Sequence, residues 1–318
     1  MNFKSLRPPY DPELHGIFDK VNASMPAFAA TSLDQLREIS CKDVSGILDE
    51  KNIEVKNFVI DGYADGQIEL SILSKKNARM GPVLYHTHGG GMVLGDRWSG
   101  ITAFLDWIDR YGAVIVTVEY RLAPEFPDPY PREDAYAGLV WMTNNAQALG
   151  IEGRRIIVVG QSAGGGITAG LALMARDRNG PKIQGQILLS PMLDDSDSTV
   201  STRQFDGTGG WDRQANAFGW KALLGAEHST DLVSSYAVPA RNGNLADLPP
   251  TFLECGTAEV FRDEIIAYAS RLWEAGNEAE LHVWSGGFHR YDVMAPESQI
   301  SLGTVEARKT WMDRLLLD

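Results

Sequence analysis

An α/β fold, a mostly parallel eight-stranded sheet flanked by helices, is what this 318-residue chain predicts. Three observations lead to it. Eight short β-rich runs occur, at residues 53–60, 67–74, 83–87, 113–118, 155–159, 186–190, 251–255 and 280–284. Between the later runs lie segments of helical period, such as Ser162 to Arg178 and Arg262 to Ala275. Strands alternating with helices through short crossovers imply parallel pairing with helices on both faces. The runs also change in character: VIVTV, IIVV and ILL are continuously apolar, as strands covered on both faces are. The second run, QIELSILS, alternates apolar and polar, as a half-exposed antiparallel strand does.

With 44% apolar residues the chain can bury one large core, and no linker, internal repeat or low-complexity segment divides it. Two regions fall outside the alternation. Residues 1–45 carry two helix-like stretches, Asp11 to Met25 and Ser32 to Ile39. Residues 192–248 are rich in Gly, Asp and Ser, yet carry Phe205, Trp211, Phe218 and Trp220. Ligands of open α/β sheets bind outside the carboxyl ends of the strands, so an insertion after the sixth strand hangs over that crevice. We read both regions as parts of one lid; the alternative is that they thicken the edge of the domain.

The net charge of −13 disfavours nucleic acid and anionic membrane surfaces as partners, because both are bound through clustered Lys and Arg. Cys41 and Cys255, the only cysteines, are too few for a disulfide framework and lack thiolate-metal spacing. They read as free thiols in a reducing compartment. The opening MNFKSLRPPYDPELHG has no apolar run of signal-peptide length, and no stretch approaches the ~20 apolar residues of a membrane helix. A cytoplasmic protein without stable membrane insertion is expected; assembly into a homo-oligomer is left open.

The chemistry concentrates in two glycine-rich patterns. Residues 160–164 read Gly-Gln-Ser-Ala-Gly, directly after the apolar IIVV run and before a helical segment. The five residues alone are a weak signal; their context is the stronger one. A tight strand-to-helix turn lifts the Ser162 hydroxyl above the sheet, small neighbours let the backbone make that turn, and the helix N-terminus favours nearby negative charge. Upstream, His88-Gly89-Gly90-Gly91 follows PVLYHT. Amides unobstructed by side chains can approach a developing oxyanion, and one such donor is worth about 3–4 kcal/mol to a transition state. The competing reading is a plain glycine-rich turn.

Together these stretches carry a resemblance. HGGGMVLGD at 88–96, YRLAPEFPDPYPREDA at 120–135, GQSAGGG at 160–166, GTAEVFRDE at 256–264 and GGFHRYD at 286–292 are similar to the hormone-sensitive-lipase-like esterases of the α/β-hydrolase superfamily. The resemblance implies an α/β-hydrolase catalytic domain over residues 46–318. It also implies a helical cap made of 1–45 and 192–248, and oxyanion donors at the amides of Gly89, Gly90 and Ala163. The activity implied is hydrolysis of a small-molecule carboxylic ester through an acyl-enzyme, on short acyl groups, without metal or organic cofactor. An amidase, deacetylase or lactonase on the same machinery is the alternative. A non-catalytic receptor on this scaffold would be expected to lack the serine or the histidine. The cap aromatics Phe205, Trp211 and Trp220 would line an apolar cleft, or equally form the interior of the cap.

The base must be one of six histidines: His15, His86, His88, His228, His282 or His289. His282 lies inside the last strand-like run and reads as structural. His86 and His88 precede or belong to the oxyanion loop; they share a strand face, but no further ligand cluster supports a metal site. His289, in Gly-Gly-Phe-His after the final strand, follows the nucleophile in the chain order of this fold. For the acid, aligning Phe-Arg-Asp-Glu with the family's usual Leu-Arg-Asp-Glu puts Glu259 where an Asp commonly stands. Its rivals are Asp263 and Glu264, which read as first-turn residues of the next helix, and Asp292, close to His289 in sequence.

Overall fold

The computed structural model describes residues 6–24, 32–41, 43–76, 81–151, 155–228 and 230–317. The eight expected runs are all strands of one sheet: β1 (Ile53–Asp61), β2 (Gln67–Lys75), β3 (Val83–Thr87), β4 (Val114–Glu119), β5 (Ile156–Gln161), β6 (Gly185–Leu189), β7 (Thr251–Gly256) and β8 (Ala279–Trp284). They lie in the order β1-β2-β4-β3-β5-β6-β7-β8. Only β2 runs against its neighbours, pairing antiparallel with β1 and β4; the pairs from β4 through β8 are parallel.

The apolar runs follow from what covers the sheet. Along β5 and β6, Val158 and Leu188 face one hydrophobic cluster, with Leu139, Leu171 and Leu272 from the overlying helices. Ile157, Val159, Ile187 and Leu189 face a second, with Phe104, Trp107, Ile108 and Trp311. With helices on both sides, each residue of a central strand meets an apolar layer, and period-2 alternation disappears. The half-exposed pattern expected of β2 holds only at its start. Gln67 and Glu69 are exposed, but Leu70 to Leu73 are buried, because Leu73 packs in the second cluster while Leu70 and Ile72 pack in the first.

After β3 the chain crosses to β4 on one side, then passes back to β5 on the other. Adjacent strands whose connections depart in opposite directions leave a crevice at their carboxyl ends. Here that crevice is flanked by the loop after Thr87 and the turn after Gln161, the two glycine-rich patterns.

The regions outside the alternation are helical in part. Helices span Pro12–Ser24, Leu33–Ser40 and Ser45–Glu50; the expected end of the first at Met25 lies outside the described residues. Leu14 and Phe18 pack on Phe288 and Tyr291, around the loop that carries His289. Arg37 donates from Nε to the Val93 carbonyl (2.9 Å) and from Nη2 to that of Ala123 (3.0 Å). Within 192–248, helices span Val200–Gln204 and Arg213–Leu224. This segment is pinned by the first turn of helix Arg262–Glu274: Asp263 accepts from the Ser201 amide (2.7 Å), and Glu264 from the Leu193 amide (2.7 Å). Among the described residues no helix is long and apolar enough to cross a membrane.

The stretch YRLAPEFPDPYPREDA turns beneath the loop at 88–95. The Ala123 amide donates to the Met92 carbonyl (2.9 Å), and Asp134, fully buried, accepts from the Tyr63 amide (2.8 Å) and from Arg121 through Nε (2.8 Å) and Nη2 (2.7 Å). Removing one partner of a buried ion pair strands the other charge. Arg121→Ala is therefore expected to lower the unfolding free energy by about 3–5 kcal/mol in urea denaturation; a loss below about 1 kcal/mol, the scale of an exposed pair, would contradict that reading.

Candidate active site

Ser162 stands between β5 and helix Ala163–Asp177 with φ 56° and ψ −123°, a conformation L-residues seldom adopt. The surroundings hold it there. Its amide donates to the Leu189 carbonyl (2.9 Å), and its own carbonyl accepts from the amides of Gly166 (3.1 Å) and Met192 (2.9 Å). At Gly164 the backbones of two elements touch: a Cβ there would sit 2.1 Å from the Thr87 carbonyl oxygen. Glycine is what lets this helix begin directly against β3.

His289, on the loop after β8, places Nε2 3.1 Å from Ser162 Oγ and Nδ1 2.7 Å from Glu259 Oε2. All three side chains are buried. An imidazole nitrogen facing a carboxylate carries its proton, which leaves the Nε2 lone pair directed at the hydroxyl. The second carboxylate oxygen, Glu259 Oε1, accepts from Ser190 Oγ (2.9 Å) and the Gly256 amide (3.2 Å). The Glu259 carboxylate is thus oriented from the ends of β6, β7 and β8 together.

The rival acids are engaged elsewhere. Asp263 and Glu264 hold the segment after β6, as above. Asp292 accepts from Arg308 Nη2 (2.6 Å). Arg308, on helix Gln299–Leu317, is itself buried and also donates from Nε to Glu254 Oε1 (3.1 Å) on β7. Burial pushes the Glu254 carboxyl up to about 6, against the opposing pull of Arg308.

The loop after β3 lies directly against Ser162: a Cβ on Gly89 would be 3.3 Å from Ser162 Cβ. Gly90 has φ 126°, where L side chains are strained. The amides of Gly89 and Gly90 donate no hydrogen bond among the described residues. That of Ala163 belongs to the first turn of its helix, whose amides lack intrahelical acceptors. His88 fixes this loop: its ring stacks on Tyr120 at 4.1 Å, Nδ1 donates to the Gly89 carbonyl (2.8 Å), and Tyr120 donates its hydroxyl proton to the His88 carbonyl (2.6 Å). His86 donates from Nδ1 to Thr117 Oγ1 (2.9 Å), which in turn donates to the Arg97 carbonyl (2.7 Å). Burial depresses both imidazoles, His86 to about 3, so each stays neutral. Among the described residues no three His, Cys, Asp or Glu side chains group as a metal site would. His282 pairs with Glu280 (2.7 Å) and stacks between Phe252 and Trp284.

Above Ser162 lies a cavity of about 170 Å³ lined by Leu36, Gly90, Leu94, Trp211, His289 and Arg290, among others. Of the three aromatics expected at a cleft, the structure brings only Trp211 to this wall. Phe205 and Trp220 are buried in the main hydrophobic cluster. A larger groove of about 640 Å³, between Arg37 and β2, does not include Ser162. Ser190, Leu36 and Arg290 went unnoticed in the sequence; adjacency to the histidine was the one signal that marked Arg290.

A family model described as alpha/beta hydrolase fold matches residues 84–293. The carboxylesterase NlhH of Mycobacterium tuberculosis is 31% identical over 276 residues, 86% of this chain and 86% of the relative. Among solved structures, a bacterial heroin esterase superposes with a TM-score of 0.86 at 33% identity, covering 96% of this chain and 98% of the other. A hyperthermophilic esterase from the archaeon Pyrobaculum calidifontis superposes with a TM-score of 0.86 at 28% identity, covering 98% and 100%.

The contact at Gly164 is testable without reference to activity. A methyl group there has only backbone to push against, so Gly164→Ala is expected to destabilise the fold by about 2 kcal/mol or more in thermal or chemical unfolding. An unchanged melting temperature would show that the turn is less constrained than the geometry indicates.

Proposed function

We propose that this chain, which belongs to the hormone-sensitive-lipase-like esterases of the α/β-hydrolase superfamily and is a carboxylic ester hydrolase, works through an acyl-enzyme on Ser162, with His289 as base and Glu259 as its acidic partner. The observation that carries this reading is the continuous chain from Oγ to Nε2 (3.1 Å) and from Nδ1 to the Glu259 carboxylate (2.7 Å).

In the forward half-reaction Oγ attacks the ester carbonyl carbon while Nε2 takes its proton. The tetrahedral oxyanion is received by the amides of Gly89, Gly90 and Ala163. Collapse breaks the bond to the alcohol oxygen, which leaves with the proton from Nε2. Water then gives a proton to Nε2 and adds to the acyl carbon; collapse of the second intermediate releases the carboxylic acid and returns the proton to Oγ. Glu259 stays ionised throughout, holding the ring's orientation and stabilising the imidazolium. The steps use this chain's side chains, its backbone and water. A glutamate in place of the commoner aspartate is accommodated because the acid only orients and stabilises the ring. The reading of 1–45 and 192–248 as a cap is supported by Leu36, Ser40 and Trp211, which line the cavity from those regions. The cavity's size supports short acyl groups.

Ser162→Ala is expected to abolish turnover and labelling by an organophosphate while the circular dichroism spectrum stays that of the parent; wild-type activity in the variant would end the proposal. Glu259→Gln is expected to lower kcat by about 10³-fold or more, with Asp263→Asn losing far less. The reverse order would assign the acid to Asp263. Across p-nitrophenyl esters of graded acyl length, kcat/KM should peak at short chains; a maximum among long chains would rule out the short-acyl assignment.

A further inference from the structure

Arg290 follows His289 directly and lines the same cavity as Ser162 and Trp211. Its setting differs from that of the other enclosed arginines. Arg121, Arg132, Arg241 and Arg308 each pair with a carboxylate. Among the described residues the Arg290 guanidinium makes no hydrogen bond or ion pair, and its Nε is buried without a partner. The nearby acids are spent: Asp292 on Arg308, and Glu259 on His289, Ser190 and Gly256. Among the described residues no Asp or Glu lines the cavity, and Arg290 is the one Lys or Arg that does.

The backbone adds a second observation. Arg290 sits in the left-handed region at φ 64° and ψ 28°, where glycine is at ease and a long side chain is strained. Burial lowers the affinity of this guanidinium for its proton, an effect that the charge of Asp292 offsets only in part. A guanidinium with free donors at the wall of a cavity is a ready partner for a carboxylate, which it can grip with two parallel hydrogen bonds.

We infer that Arg290 is a specificity-determining residue that selects esters carrying a carboxylate, pairing with that group while the ester carbonyl lies at Ser162. The inference rests on the esterase mechanism proposed above. The carboxylate can belong to the acyl half, as in a half-ester of a dicarboxylic acid, or to the alcohol half, as in an acylated hydroxy acid. The recognising chemistry is the same in both.

Two matched pairs of substrates separate these sources: phenyl pentanoate against monophenyl succinate for the acyl side, and phenyl acetate against 4-carboxyphenyl acetate for the alcohol side. The quantity read is the ratio of kcat/KM, charged over neutral. In Arg290→Gln that ratio is expected to fall about tenfold or more in one pair, chiefly through KM, while Arg290→Lys keeps most of it. Arg290→Gly, which relaxes the backbone at this position, should show the same loss and guards against a folding defect. A ratio unchanged within about twofold in both pairs, with the neutral esters still hydrolysed, overturns this inference alone, since pairing with a desolvated charge is worth more than that. If the wild-type protein hydrolyses none of the four esters, the esterase mechanism falls and the inference falls with it.

Discussion

The turn at Ser162 is the constraint around which the rest of the structure is arranged. A serine in this region of φ and ψ costs on the order of 1–3 kcal/mol and persists only where its surroundings over-determine it. Here β6 takes its amide through Leu189, and its carbonyl is claimed by Gly166 and Met192. The following helix must start so close to β3 that Gly164 touches the Thr87 carbonyl, and from Ala163 to Ala175 each of its residues is buried. That proximity draws the Gly89–Gly90 loop against Ser162. Strand order, small residues and amide placement are thus consequences of one backbone geometry.

Glu259 and His289 arrive from the other half of the sheet, and a single helix turn coordinates them with the insertion. Glu259 precedes helix Arg262–Glu274 by a few residues; Asp263 and Glu264, in its first turn, hold the backbone at Leu193 and Ser201. Displacing that turn would move the carboxylate behind His289 and the segment that carries Trp211 together. Ser190, between β6 and the insertion, closes the loop by donating to Glu259. The wall of the cavity and the machinery at its floor therefore share their supports.

Much of this was legible in the sequence, and what was not has physical causes. The strands were readable because helices on both faces demand unbroken apolar runs, and Ser162 because a tight turn between strand and helix demands small neighbours. The placing of Glu259 came from family resemblance: several carboxylates follow β7, and only tertiary structure shows that Asp263 and Glu264 are turned toward the insertion. Composition marked Phe205, Trp211 and Trp220 equally, because an aromatic residue buries well in a cleft or in a core. Which way each faces depends on where its helix lands; Gly91 and Gly219 pack against the Trp211 ring, and Trp211 alone reaches the cavity. The unpaired state of Arg290 is a statement about missing neighbours in space, which no local pattern encodes.

The buried pairing of Arg308 with Glu254 and Asp292 ties the strand that leads to Glu259, and the loop that carries His289, to the helix Gln299–Leu317 of the sheet's covering layer. Seen in the time order of synthesis, Ser162 leaves the ribosome long before that arginine does. A chain synthesised through Asp292 but not yet to Arg308 would hold two carboxylates without the guanidinium that pairs them, and its Glu259 and His289 loops would be joined by their own hydrogen bonds alone.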